Sequence, residues 1–139
     1  MRQHQETITI ETRGQSLIEF TRDVARILKA SGIETGLAHV FCRHTSASLL
    51  IQENADPDVQ RDLVAFFKRL VPDGDPLFIH RAEGPDDMPA HVKSALTQPT
   101  LTIPISNGRM MLGAWQGIYL FEHRMQPHTR QVVVHVMGD

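Results

Sequence analysis

A chain of 139 residues, 41% hydrophobic and 22% charged, can bury a core of its own and has the composition of an ordinary globular protein. A net charge of -2 supplies no global basic field, so neither nucleic acid nor an anionic membrane is an expected partner. Cys42 is the only cysteine, which excludes an intrachain disulfide, and no apolar run has the length of a signal-peptide core or a membrane span; the expected setting is the cytoplasm.

Thr7 to Thr12 alternates Thr and Ile and predicts a half-buried strand. Ser16-Leu-Ile-Glu19 reads as a capping box opening a helix, with Phe20, Val24, Ile27 and Leu28 on its apolar face and Gly32 just past its end. Gly36 to Cys42 and Ala47 to Ile51 predict strands separated by a bend over Arg43 to Ser46. Asp56-Pro57 marks a second helix start, whose face is Val59, Leu63, Phe66, Phe67 and Leu70, and Pro72 to Pro76 turns the chain. Leu77 to His80 is a short run that would leave His80 at a strand end, followed by a polar loop to Asp87. Asp86 or Asp87 then caps a short helix through Leu96, with Pro89 in its first turn.

Thr100 to Ile105 predicts a strand, turned by Ser106-Asn-Gly108 into Arg109 to Leu112. Ile118 to Phe121 and Gln131 to Met137 complete the sheet; the latter run is apolar on both faces and reads as central. The expected fold is α+β: a single compact domain over residues 1–139, mostly antiparallel sheet with two main helices and one short helix.

Eight histidines are dispersed along the chain. His39 and His135 lie in apolar runs and are expected to be buried and hydrogen-bonded. His44 interrupts two apolar runs, where it either projects into a cleft or bonds the nearby backbone. His80 and His91 bracket a segment holding Glu83, Asp86 and Asp87, the mixture of imidazole and carboxylate that suits a borderline divalent metal, or else a solvated acidic loop. Trp115 is flanked by Gly113 and Gly117 and either stacks on a flat ligand or fills the core beside a bulge. Glu122-His-Arg124, Arg130, Lys93 and Arg109 offer cations for phosphate or plain surface charge. Cys42 beside Arg43 is either activated or inert packing.

Taken together, His44-Thr-Ser-Ala-Ser-Leu49, Glu53-Asn-Ala-Asp-Pro57, His80 with Glu83-Gly-Pro-Asp-Asp-Met-Pro-Ala-His-Val-Lys93, Asn107-Gly-Arg109, Trp115-Gln-Gly-Ile118 and Glu122-His-Arg124 resemble the YjbQ-like family, described as secondary thiamine-phosphate synthases. Two departures are Ala114, where the family's pattern carries Thr, and a Met-Gln-Pro-His-Thr loop after Arg124, where it is Gly-rich. The resemblance implies a compact α+β domain that assembles as a homotrimer. It implies a divalent metal, zinc foremost, on His44, His80 and His91, with magnesium as the alternative for a diphosphate substrate. The partner would be a small, phosphorylated molecule. The implied reaction joins a pyrimidine-methyl diphosphate to a thiazole phosphate with loss of pyrophosphate. Catalytic roles would fall to Glu83, Asp87, Lys93, Trp115 and Gln116, and substrate or phosphate contacts to Ser46, Asn54, Arg109, His123 and Arg124. A metal-dependent hydrolase and a non-catalytic metal-binding oligomer are the alternatives.

Overall fold

The computed structural model describes all residues, Met1–Asp139. Its elements in chain order are β1 (Arg2–Glu11), β2 (Ser16–Glu19), α1 (Thr21–Ser31), β3 (Gly36–Cys42), β4 (Ala47–Glu53), α2 (Pro57–Leu70), α3 (Asp87–Leu96), β5 (Thr100–Ser106), β6 (Arg109–Met110), β7 (Gln116–Glu122) and β8 (Thr129–Gly138). They form a five-stranded sheet, β1-β8-β3-β5-β6, and a three-stranded sheet, β2-β7-β4. Every strand pair is antiparallel, so the expected α+β class with three helices holds.

The inner faces of the two sheets share one cluster with α1. Ala38, Val40, Val132, Val134 and Val136 enter it from the large sheet, Leu49, Ile118 and Leu120 from the small one, and Val24, Ile27 and Leu28 from the helix. These are the positions that strand and helix periodicity assign to buried faces. Gly32 closes α1 with φ 69°, and Asn107 and Gly108, at φ 53° and 71°, make the primed turn that an Asn-Gly hairpin requires.

Several expectations change. Ser16 to Glu19 is not a capping box but strand β2, paired with Tyr119 to Glu122 of β7; the helix begins at Thr21, and the Ser16 hydroxyl donates to the Gly14 carbonyl instead. Long-range pairing overrides the local cap signal there. Leu77 to His80 forms no strand, so His80 stands on an irregular segment. The strand buried on both faces is β7 rather than β8: Ile118 and Leu120 face the core, while Tyr119 and Phe121 face α2, which stacks Phe67 edge-on against Phe121 at 5.2 Å. β8 is an interior strand between β1 and β3, as expected, but its outer side is only partly covered, so His39 and His135, expected to be buried, face each other there half-buried beside exposed Leu37 and Phe41. Finally, the apolar face of α2 is incompletely covered, with Phe66 and Leu70 about half exposed and no residue fully buried. No helix is long and apolar enough to cross a membrane.

Candidate metal centre

α3 builds the centre. Asp87 in its first turn and His91 four residues on project from one face. The irregular segment before the helix folds His80 onto the same spot. One ligand atom each from His80, Asp87 and His91 lies within 4.8 Å of the others. Both imidazoles turn Nε2 toward a single oxygen, Asp87 Oδ2, at 2.9 Å for His80 and 3.2 Å for His91.

Neighbouring groups fix these side chains. His91 Nδ1 lies 2.9 Å from the Thr45 carbonyl, which can only accept, so Nδ1 carries a proton. A neutral His91 therefore points its Nε2 lone pair at a carboxylate oxygen. Two acceptors face each other unless the ring takes a second proton or a cation lies between them. That arrangement, with one ring nitrogen pinned to a carbonyl, is how ligand histidines are oriented. Arg124, just beyond β7, forks across the helix start: Nε donates to Asp86 Oδ2 at 3.0 Å, Nη1 to Asp87 Oδ1 at 2.8 Å, and Nη2 to the Glu83 carbonyl at 2.8 Å. Asp87 is 1% exposed. Burial opposes its charge, but the His80 bond, the neighbouring Glu83 carboxyl and the Arg124 charge outweigh that and hold its carboxyl below the usual range. The donor set of two imidazoles and a carboxylate fits zinc.

The structure sorts the other expected site residues into separate places. His44 is not in the ligand group; its Nε2 accepts from the Gln131 backbone N–H at 2.8 Å. Burial first, then the Arg130 charge, push the His44 pKa down. Glu83 presents an exposed side chain beside the group. Lys93 is buried with no carboxylate paired to it, and burial lowers its pKa. Ser46 is buried, its hydroxyl accepting from Arg130 at 2.9 Å. His123 is buried, with Nε2 2.9 Å from the Ser48 hydroxyl and Nδ1 without a partner; burial, helped by Lys93, pushes its pKa down to about 3. Cys42 is buried packing whose pKa burial raises.

Asn54, Trp115 and Gln116 lie elsewhere. β7 starts at Gln116 and ends at Glu122, so a strand length of roughly 20 Å separates them from Arg124. Asn54 bonds Glu19, and Gln116 accepts from the Gly113 backbone N–H. Trp115 is exposed rather than core. Arg109 is exposed on the β5–β6 hairpin.

Sequence reading missed the roles of the Thr45 carbonyl and Asp86. It also missed a buried pair in which Glu122 accepts from Arg130, Thr12 and two backbone N–H groups. The Asp-x-x-x-His spacing of Asp87 and His91 was a usable signal for a shared helix face.

A family profile described as "UPF0047 protein YjbQ-like" matches residues 6–139. The chain is 56% identical to the UPF0047 protein sll1880 of Synechocystis over 99% of its length and 94% of the relative's. It is 40% identical to the UPF0047 protein YjbQ of Salmonella typhimurium, covering 98% of this chain and 99% of that one. Among solved structures, an uncharacterized conserved YjbQ/UPF0047 protein from Clostridium acetobutylicum superimposes with a TM-score of 0.88 at 35% identity, covering 95% of this chain and 99% of that one. The conserved hypothetical protein TT1486 of Thermus thermophilus superimposes with a TM-score of 0.85 at 34% identity, covering 95% and 99%. The chain belongs to the UPF0047 protein YjbQ-like family.

Proposed function

We propose that this chain is a metal-dependent enzyme acting on a phosphorylated small molecule, with His80, Asp87 and His91 holding a divalent cation, zinc foremost. The observation that carries the reading is the facing pair of acceptors, His91 Nε2 and Asp87 Oδ2, with His91 Nδ1 held by the Thr45 carbonyl. When bound, such a cation supplies Lewis acidity toward a phosphoryl oxygen or a leaving diphosphate. The chain's own residues do the rest. Arg124 locks Asp87 in place, and Thr45 fixes the tautomer of His91.

Each histidine of the group borders a cavity of its own, His80 with Phe78 one of about 380 Å³ and His91 another of about 360 Å³. A reaction that joins two molecules needs two such berths. That favours the transfer implied by the resemblance, a pyrimidine-methyl diphosphate joined to a thiazole phosphate with loss of pyrophosphate. Purified, zinc-loaded protein given both substrates should form thiamine phosphate, and His91→Ala should not. Equal product from the two proteins would refute the site. No product from either would refute this reaction.

The exposed Glu83 carboxylate beside the group favours a second reading, hydrolysis with Glu83 as base. Phosphate release from a panel of phosphate esters, lost in Glu83→Gln, tests it. The homotrimer remains part of the proposal. It would draw on apolar side chains that one chain leaves in water, Leu37 and Phe41 among them.

A further inference from the structure

The cavity bordered by His91 is also lined by His44, Thr45, Ser48, Ser94 and Thr97, and no acidic residue lines it. His44 has both ring nitrogens decided. An amide N–H can only donate, so the Gln131 bond leaves the lone pair at Nε2, and Nδ1 of the neutral ring carries the proton. No atom of the chain accepts from that Nδ1–H. The Thr45 hydroxyl is likewise free of intrachain bonds and exposed, while the Thr45 carbonyl holds His91 next door. The Ser94 and Thr97 hydroxyls are spent on the Ala47 and Lys93 carbonyls and the Ser48 hydroxyl on Thr97 and His123, so the cavity offers two free donors, His44 Nδ1–H and the Thr45 hydroxyl, with no carboxylate and one edge at the metal group.

We propose that His44 is the hydrogen-bond donor for an acceptor-only anionic group, a phosphate or diphosphate, seated in this cavity against the cation. This rests on the metal reading above, and it moves His44 from metal ligand to substrate contact. The His44 lone pair is already spent on Gln131. The free donor has no counterpart in the chain, and a phosphoryl oxygen is the partner that the surrounding chemistry suits.

Inorganic pyrophosphate is the probe. It is titrated calorimetrically into zinc-loaded wild type, His44→Ala and His44→Gln, with zinc content measured on each. A lost bond to a charged acceptor weakens binding about ten- to hundredfold. His44→Ala should show that loss and keep its zinc. His44→Gln should recover affinity, since its amide both accepts and donates. Wild-type affinity in His44→Ala, or zinc lost from it as from His91→Ala, overturns the proposal. If wild type takes up no zinc, the metal reading fails by itself, and the same titration on metal-free protein still decides the role of His44. Imidazole ¹⁵N NMR of wild type needs no variant. Pyrophosphate should shift Nδ1 of His44, and a static Nδ1 under saturating pyrophosphate would count against the donor.

Discussion

Replacing Arg124 with methionine keeps much of the side chain's bulk and removes its charge. In the native fold Arg124 serves two carboxylates and a carbonyl at once, and its side chain is 13% exposed, against 9% for Asp86 and 2% for Asp87. Removing one partner of a buried pair typically costs about 3–5 kcal/mol, because the other charge stays behind uncompensated. The Met125 backbone N–H still bonds Asp86, and His80 and His91 still face Asp87, so about 3 kcal/mol is the expected loss near neutrality. The pH dependence gives the sharper test. In wild type the Asp86 and Asp87 carboxyls sit below their usual range, so their contribution is present above the unfolded pKa and lost as pH falls through the folded values. In Arg124→Met the same carboxyls resist ionisation, and mild acid relieves them. The stability gap between the two proteins should therefore shrink from neutrality to about pH 4.5. Urea unfolding of chelator-treated protein at both pH values measures it. A gap under about 1 kcal/mol at neutrality, or one that does not change with pH, would refute the clamp.

The remaining predictions need simpler measurements. Saturating zinc at about a hundred times its dissociation constant should add about 2.7 kcal/mol and raise the wild-type Tm by several degrees, with no rise in Asp87→Ala or His91→Ala. His123 is neutral in the fold, with a pKa of about 3 against an ordinary 6.5, so the unfolded chain takes up its proton first. Its contribution is intact above the unfolded value and declines at up to about 1.4 kcal/mol per pH unit as pH falls through that window; His123→Phe should flatten the urea-derived slope. Gly36→Ala should prevent folding, as seen by loss of the cooperative transition, because its Cβ would lie 2.0 Å from the Met137 carbonyl oxygen on paired β8. Light scattering should give the mass of three copies, and Phe41→Glu should lower it; an unchanged mass would remove the outer sheet face from the assembly.

Much of the fold was legible because its signals are local. Asp56-Pro57 starts α2, the Asp56 carboxylate accepting from the Asp58 N–H, and Asn107-Gly108 turns β5 into β6. Ser16 to Glu19 misled because a capping box and a short edge strand share a sequence, and only the distant β7 decides between them. The candidate site was legible in residue type more than in arrangement. His80 and His91 meet at Asp87, eleven residues apart, because an irregular segment folds back onto its own helix. No spacing rule reveals that the His44 lone pair meets Gln131, 87 residues away, or that Trp115 and Arg124 sit toward opposite ends of one strand.

The Arg124 fork has a kinetic consequence. Asp86 occupies the cap position of α3, yet its carboxylate reaches Arg124 and the Met125 N–H instead of capping the helix. The helix start is thus tethered from outside, by the chain that leaves β7. Detaching that tether frees Asp87 and loosens the segment carrying His80 in one motion. If the centre holds a cation as proposed, that opening would release Asp87 and His80 from it together. Amide exchange across residues 83–91 should slow together when the centre is loaded, and the dwell time of a bound cation should follow the lifetime of the closed segment.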